Sequence, residues 1–121
     1  MKKELFTFAL LASILIFSVI NSVFISDLTA KTGELLLLAA EDETSAEKLV
    51  SEAEALWRRH DSYLSVVLRH SDIDGIEDAI YEIRRNIVSG NMAGVALAAR
   101  MTNERLKSVA RFEQPRIGSI F

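Results

Sequence analysis

The chain has 121 residues, of which 50% are hydrophobic and 26% charged, with a formal net charge of -3, one Pro, five Gly and no Cys. This length allows one small domain, and the lack of Cys excludes a disulfide scaffold, a thiolate metal site and a cysteine nucleophile. The low Pro and Gly content favours helices over a loop-rich β fold. The weak acidity argues against a nucleic-acid partner, which would need a basic stripe for phosphate contacts.

The first predicted element is a transmembrane helix. Residues 5–25 carry no charge and are long enough in helical form to cross a bilayer core of about 30 Å. A secretory signal peptide is the alternative, but its apolar core usually runs about 7 to 15 residues, and no small-residue cleavage pattern follows this one. We therefore expect residues 1–28 to form a cytoplasmic tip and an uncleaved single-pass anchor.

Positive charge predicts the orientation of this anchor. Lys2 and Lys3 precede the span, whereas only Lys31 follows it closely. The positive-inside rule then places the N-terminus in the cytoplasm and the rest of the chain outside, at the cell membrane of a bacterium.

Two helical segments are expected next. Residues 29–44 form a membrane-proximal segment, predicted to be helical, which either continues the anchor helix or is separate from it. Thr44 and Glu47 fit a capping box, so a long helix should begin near Ser45 and end near His70. Its apolar stripe is read as Leu49, Ala53, Leu56, Tyr63 and Val67, widened by Trp57 and Leu64.

Two further helices have clear end signals. Ser71 and Asp72 offer side chains to cap the first, whose isoleucines recur at intervals of three and four, and Gly90 suits its C-terminal cap. Asn91 is expected to cap the last helix. The isoleucine seam is Ile73, Ile76, Ile80, Ile83 and Ile87, and the inward residues of the last helix are Val95, Ala99, Thr102, Leu106, Val109 and Phe112.

The expected fold class is all-α, a single N-terminal transmembrane helix followed by an antiparallel three- to four-helix up-down bundle. Loops of two to four residues force neighbouring helices to be antiparallel. Residues 45–121 are predicted to form the extracytoplasmic bundle with a C-terminal tail, and residues 29–44 are its candidate fourth member.

Charge is unevenly distributed along the chain. Residues 27–56 contain eight acids and two bases, whereas residues 84–121 contain seven bases and two acids. Pairing between oppositely charged helices is the structural interpretation, and a surface for anionic lipid or wall polymer is the alternative. The basic residues concerned are Arg84, Arg85, Arg100, Arg105, Lys107 and Arg111.

Residues suited to catalysis or metal binding are sparse. His60 and His70 are ten positions apart, so they cannot bind one metal from a single helix. The segment 69–77 fails as a calcium loop, because the first and twelfth ligand positions fall on His70 and Tyr81. No catalytic triad pattern or Gly-rich phosphate loop is present. We therefore predict no enzymatic activity, no cofactor and no metal site.

Two short segments are candidate partner-binding sites. Ser18, Asn21 and Ser22 form a small polar patch in the outer half of the predicted span, where small residues allow another span to approach closely, although interfacial composition alone also explains them. The second segment is apolar and lies at the C-terminus, where it either packs back on the bundle or docks into a partner. It contains Ile117, Ile120 and Phe121.

Three features of the sequence carry a resemblance to a known family. They are Trp57 on the long helix, HSDIDGIE at residues 70–77 and IGSIF at residues 117–121. With these, the chain resembles a bacterial family of short, N-terminally anchored helical proteins, domain-of-unknown-function family 4363. The resemblance implies the topology and assigns no functional residue.

The sequence favours a membrane-tethered extracytoplasmic interaction module, an accessory partner of a membrane or envelope protein. Tethering by one span raises the effective concentration of such a module near its partner. The alternative is a ligand-sensing or lipid-binding helical bundle. The expected partners are the lipid bilayer and a membrane or envelope protein, with homo-oligomerisation left open and no nucleic acid.

Overall fold

The computed structural model describes residues 1–112, the side chain of Phe112 excepted. Five helices follow one another along this part of the chain, and it contains no strand. The predicted all-α class is therefore confirmed. The helices are α1 (Lys2–Glu41), α2 (Ala46–Arg59), α3 (Asp61–Val67), α4 (His70–Val88) and α5 (Met92–Phe112).

Helix α1 is one continuous helix of 40 residues, about 60 Å long. It runs through Gly33 without a break, so the segment 29–44 begins as a continuation of the apolar helix and not as a separate one. Residues 5–20 are mostly exposed, whereas from Asn21 onward one face of α1 is buried. We call the described residues 21–112 the helical body. By length and apolar composition, α1 is able to span a membrane.

The turn between α1 and α2 is organised by Asp42. Its carboxylate accepts hydrogen bonds from the Thr44 N–H at 3.1 Å, the Thr44 hydroxyl at 2.6 Å and the Ser45 hydroxyl at 2.9 Å. Helix α2 starts at Ala46, as predicted within one residue, but its N-cap Ser45 makes no side-chain cap bond. The predicted capping box of Thr44 and Glu47 is therefore wrong, because the N-cap is Ser45, which places Lys48 and not Glu47 at the third helical position.

The predicted long helix is interrupted at His60. This residue has φ -104° and ψ 14°, and its N–H bonds the Trp57 carbonyl at 3.2 Å, a tightened turn that ends α2. The predicted apolar stripe is also displaced by one position, with Trp57 and Leu64 at its centre and not at its margin. The buried residues of α2, α3 and the following turn are Ala46, Val50, Ala53, Trp57, Leu64 and Leu68, while Leu49, Leu56, Tyr63 and Val67 are half-buried.

The isoleucine seam of α4 is confirmed. Four of its residues are buried and Ile87 is half-buried; the buried four are Ile73, Ile76, Ile80 and Ile83. The predicted caps Ser71 and Asp72 are wrong, since α4 begins at His70 and its N-cap, Arg69, makes no side-chain cap bond. Asp72 instead forms an ion pair with Arg69 at 3.7 Å.

The turn between α4 and α5 follows the sequence signals closely. Gly90 has φ +75°, a left-handed conformation that glycine adopts without strain. The Asn91 N–H bonds the Asn86 carbonyl at 2.9 Å and the Gly90 N–H bonds the Ile87 carbonyl at 3.1 Å, which is the Schellman arrangement. Asn91 then caps α5 as predicted, because its Oδ1 accepts the Gly94 N–H at 3.0 Å.

Helix α5 buries the predicted residues at intervals of three and four. These are Val95, Ala99, Thr102, Leu106 and Val109, while the side chain of Phe112 lies outside the described part. Helix α1 packs against α2 and α5, and α4 packs against α5 and α2. One core formed by all these helices therefore lies inside the helical body.

Contacts along the helices give their relative directions. Phe24 lies beside His60, and both residues are far along their helices from the Asp42 turn that joins α1 to α2. Helices α1 and α2 are therefore antiparallel. Gly33 faces Asn103, while residues nearer the start of α1 line a groove with residues nearer the end of α5. Helices α1 and α5 are therefore antiparallel as well.

Candidate functional site

The first half of α1 is an exposed apolar rod. Among its large side chains, Phe6 is 71% exposed, Phe17 61% and Ile20 61%. The run from residue 5 to residue 20 carries no charge, and no other described helix covers it. An apolar surface of this extent is typical of a segment that meets lipid or another protein, since soluble monomers rarely expose one.

Burial begins abruptly at the polar patch that the sequence singled out. Asn21 and Ser22 are each 8% exposed, and Ser18, one turn earlier, is half-buried. The Tyr63 hydroxyl donates a hydrogen bond to Asn21 Oδ1. Asn21 and Ser22 therefore face the chain's own helices, at the level where the helical body meets the exposed rod.

An aromatic cluster surrounds this junction. The Phe24 ring packs edge-on against His60 and Tyr63, with centroids 5.0 Å away in both cases and interplanar angles of 84° and 79°. His60 is thus half-buried in a stacking contact, while His70 is exposed at the start of α4. Within residues 1–112, no three His, Asp or Glu side chains are close enough to hold a metal ion.

A groove with several polar and charged residues in its lining lies between α1 and α5, just beyond this junction. Its volume is ≈ 480 Å³. Lys107 Nζ lies 3.3 Å from Glu104 Oε1 at the groove wall, and Arg111 has no carboxylate partner among the described residues. The lining includes Ser26, Thr29, Ala30, Asn103, Lys107 and Arg111. We call it the α1–α5 groove.

A second, smaller groove lies between α4 and α5 and is more apolar. It has a volume of ≈ 190 Å³, and Met101 lines it. Leu97, one turn before Met101 on α5, is 54% exposed, and Met101 itself is 65% exposed. Arg105 spans the two helices, because its Nη1 donates to the Gly75 carbonyl at 3.0 Å. This surface combines exposed apolar side chains with a fixed cation.

Charge pairing between helices occurs at α2 and α4. Arg84 Nη2 lies 3.0 Å from Glu54 Oε2, and Arg58 lies 3.5 Å from the other oxygen of the same carboxylate. The other ion pairs of the basic set that are found among residues 1–112 are local, such as Arg85 with Glu82 at 3.5 Å. The structural interpretation of the uneven charge is therefore confirmed at one interhelical contact, and much of the basic surface of α5 stays exposed.

The remaining predicted site residues, Ile117, Ile120 and Phe121, lie outside the described residues. The α1–α5 groove was not predicted, because its walls come from residues 73 to 85 positions apart in the sequence. A signal was available in the sequence: Ser26 and Ala30 on one helix, and Lys107 and Arg111 on the other, are each four residues apart and so share one face.

Comparison with known proteins yields one match. The family described as Domain of unknown function (DUF4363) matches residues 24–120. No curated protein and no solved structure matches the chain. The family match begins at Phe24, within one turn of the position where burial of α1 begins. The matched region thus covers most of the helical body and leaves out the exposed rod.

Proposed function

We propose that this chain, which belongs to the family described as Domain of unknown function (DUF4363), is a membrane-tethered extracytoplasmic helical module that acts as an accessory partner of a membrane or envelope protein. One observation carries the proposal. Helix α1 is continuous over 40 residues, yet its first half is exposed and apolar while its second half is packed in the core.

The proposed membrane segment is the exposed rod together with the first turn of the helical body. Residues 5–20 alone cover about 24 Å of helix, and extension to Phe24 gives the about 30 Å of a bilayer core. Tyr63 and Phe24 then lie at the membrane–water boundary, where amphipathic aromatic side chains are enriched. This placement ends the span one residue before the expected Ile25, because Ile25 is buried against protein.

Retention of the anchor is supported by the packing of α1. Ile25 is fully buried and Leu28 is 3% exposed. Cleavage after Ile25 would remove that side chain from the core and cleavage after Leu28 would remove both, and truncation of one buried Leu or Ile costs about 2 to 5 kcal/mol. Signal processing at either position would therefore destabilise the helical body.

For the helical body we propose an antiparallel up-down bundle outside the cytoplasm. Its support is the opposite direction of packed helices and the short turns between them. Lys2 and Lys3 favour retention of the N-terminus in the cytoplasm. The anchor then fixes the bundle at the extracytoplasmic surface of the membrane and raises its local concentration near other membrane proteins.

The surface around Leu97 and Met101, beside the groove between α4 and α5, is the proposed contact for the protein partner, and we call it the α4–α5 surface. Leu97 and Met101 offer exposed apolar area, and exposed Met is common at adaptable interfaces. Affinity purification of the full chain in mild detergent tests this contact, with Leu97→Glu/Met101→Glu as the variant. The control is Val88→Glu at the end of α4, where the side chain is 79% exposed. We expect a stoichiometric membrane protein with the wild type and the control but not with the α5 double variant. Equal recovery with all three would contradict the proposed contact.

A lipid-binding bundle is the second candidate function, and the α1–α5 groove favours it. The groove combines two cations with a position next to the proposed membrane surface. Lipid extraction of the purified chain followed by mass spectrometry tests this candidate. A lipid that remains at about one per chain after detergent exchange supports it, whereas complete loss of lipid opposes it.

A further inference from the structure

We infer that the α1–α5 groove binds the phosphate-bearing headgroup of an anionic phospholipid from the outer face of the membrane. The inference rests on the proposed membrane span, because that span sets the height of the groove. It adds to the proposed function a specific ligand class and the two side chains that recognise it, Lys107 and Arg111.

The height of the groove fits a headgroup. If the hydrocarbon core ends near Phe24, Ser26 lies about 3 Å beyond it and Ala30 about 9 Å beyond it along the helix. The polar headgroup layer occupies about 5 to 8 Å on each side of the core. The α1 wall of the groove from Ser26 to Thr29 therefore lies within the layer where lipid phosphates are found, with Ala30 at its outer edge.

The charge of the groove suits a phosphate. Lys107 and Arg111 are one helical turn apart on α5, and both line the groove. Glu104 also lines it and lies 3.3 Å from Lys107, but both side chains are more than 60% exposed, so this pair contributes little free energy and can open. The Arg111 guanidinium has no carboxylate partner among residues 1–112, and its planar fork matches phosphate oxygens.

Polar side chains line the groove together with these cations. The Thr29 hydroxyl is engaged with the carbonyls of Ile25 at 2.8 Å and Ser26 at 3.0 Å, so Thr29 shapes the wall and is not a free donor. Ser26 and Asn103 also line the groove, and a hydroxyl and an amide can donate to phosphate oxygens.

The exposed rod offers a surface for the acyl chains of the same molecule. Val19 and Leu15 lie seven and eleven residues before Ser26, which places all three within about 20° of one line along α1. Val19 is 47% exposed and Leu15 is 52% exposed. A phospholipid with its phosphate in the groove can therefore lay its chains along this line, a contact that a free phosphate ion cannot make.

The test uses the full chain in a mild detergent and native mass spectrometry with phosphatidylglycerol or phosphatidylcholine as the probe. The variant Lys107→Gln/Arg111→Gln removes both groove cations. Lys48→Gln/Arg85→Gln is the matched control, because it removes the same charge from exposed positions on α2 and α4 outside the groove. Circular dichroism establishes that both variants keep their helix content.

We expect one phosphatidylglycerol per wild-type chain, weaker binding of phosphatidylcholine, and a loss of at least about tenfold in phosphatidylglycerol affinity for the groove variant alone. Equal loss in the control, or equal binding of the two lipids by the wild type, would overturn the inference. Displacement of the lipid by inorganic phosphate at equal concentration would also overturn it, because the ligand would then be the free ion.

A second measurement on the same variants separates this inference from the proposed function. Carbonate washing of membranes that contain the wild type and the groove variant reports on anchoring alone. If both resist extraction while neither binds phosphatidylglycerol selectively, the tether stands and the headgroup site is refuted. If both are extracted, the membrane span itself is refuted, whatever lipid they bind in detergent.

Discussion

Truncation of Ile80 tests whether the isoleucine seam holds the helical body together. Ile80 is 1% exposed and lies midway along the seam of α4, beside Trp57 of α2. Removal of one methylene in Ile80→Val is expected to lower the free energy of unfolding by about 0.5 to 1.5 kcal/mol, and Ile80→Ala by about 2 to 5 kcal/mol. Small domains have about 5 to 15 kcal/mol in total, so Ile80→Asp, which buries an unpaired charge, should prevent stable folding.

The fluorescence of Trp57 is the appropriate signal for this series. Trp57 is the single Trp of the chain and is fully buried, whereas circular dichroism would also report the detergent-embedded part of α1. Denaturant unfolding of the full chain in detergent gives the free energies. The control is Val88→Ala, at a site that is 79% exposed on the same helix, with an expected change within about 0.5 kcal/mol. If Ile80→Ala and Val88→Ala had equal effects, the seam would not be core.

Three further predictions concern the contact between α1 and α5, the Asp42 turn between α1 and α2, and the two histidines. A Cβ at Gly33 would overlap the side-chain oxygen of Asn103, but that amide can rotate away. Because Ala has a helix propensity about 1 kcal/mol more favourable than Gly, Gly33→Ala should stay within about 1 kcal/mol of wild type in denaturant unfolding. Gly33→Leu should be strongly destabilising. Hydrogen bonds from the side chains of Thr44 and Ser45 hold the pKa of Asp42 below its usual 3.8. The resulting contribution to stability is present above pH 3.8 and is lost as pH falls through the lowered pKa. The melting temperatures of Asp42→Asn and wild type should therefore differ at pH 7 and converge in acid. Elemental analysis of protein purified without chelator should find no stoichiometric metal, with no change in His60→Gln or His70→Gln.

Helix positions and ends with strong local causes were predictable from the sequence. The seam of α4 follows from isoleucines at intervals of three and four, since no other register buries them together. Gly90 and Asn91 end one helix and begin the next through bonds to residues within five positions. Such features depend on nearby residues alone, and a single sequence contains all of them.

Features that depend on packing between distant segments were not predictable in the same way. Leu56 and Trp57 are adjacent, and with α2 packed against α1 and α4 it is Trp57 that is fully buried while Leu56 is half-buried. The break at His60 coincides with its contact to Phe24, 36 positions earlier. Asn21, a candidate contact for another membrane span, also hydrogen-bonds Tyr63, 42 positions later in the same chain. The α1–α5 groove exists only once the pairing of these helices is known.

The central claim is that α1 crosses the membrane and continues into a helical body outside the cytoplasm, and cysteine labelling tests it most directly. The chain has no Cys, so single substitutions report one position each. In intact bacterial cells that express the full chain, a membrane-impermeant maleimide should label Ser89→Cys at once, Lys3→Cys only after permeabilisation, and Ile14→Cys in neither condition. Labelling of Ser89→Cys only after permeabilisation would contradict the orientation, and labelling of Ile14→Cys as rapidly as Ser89→Cys would contradict the membrane span.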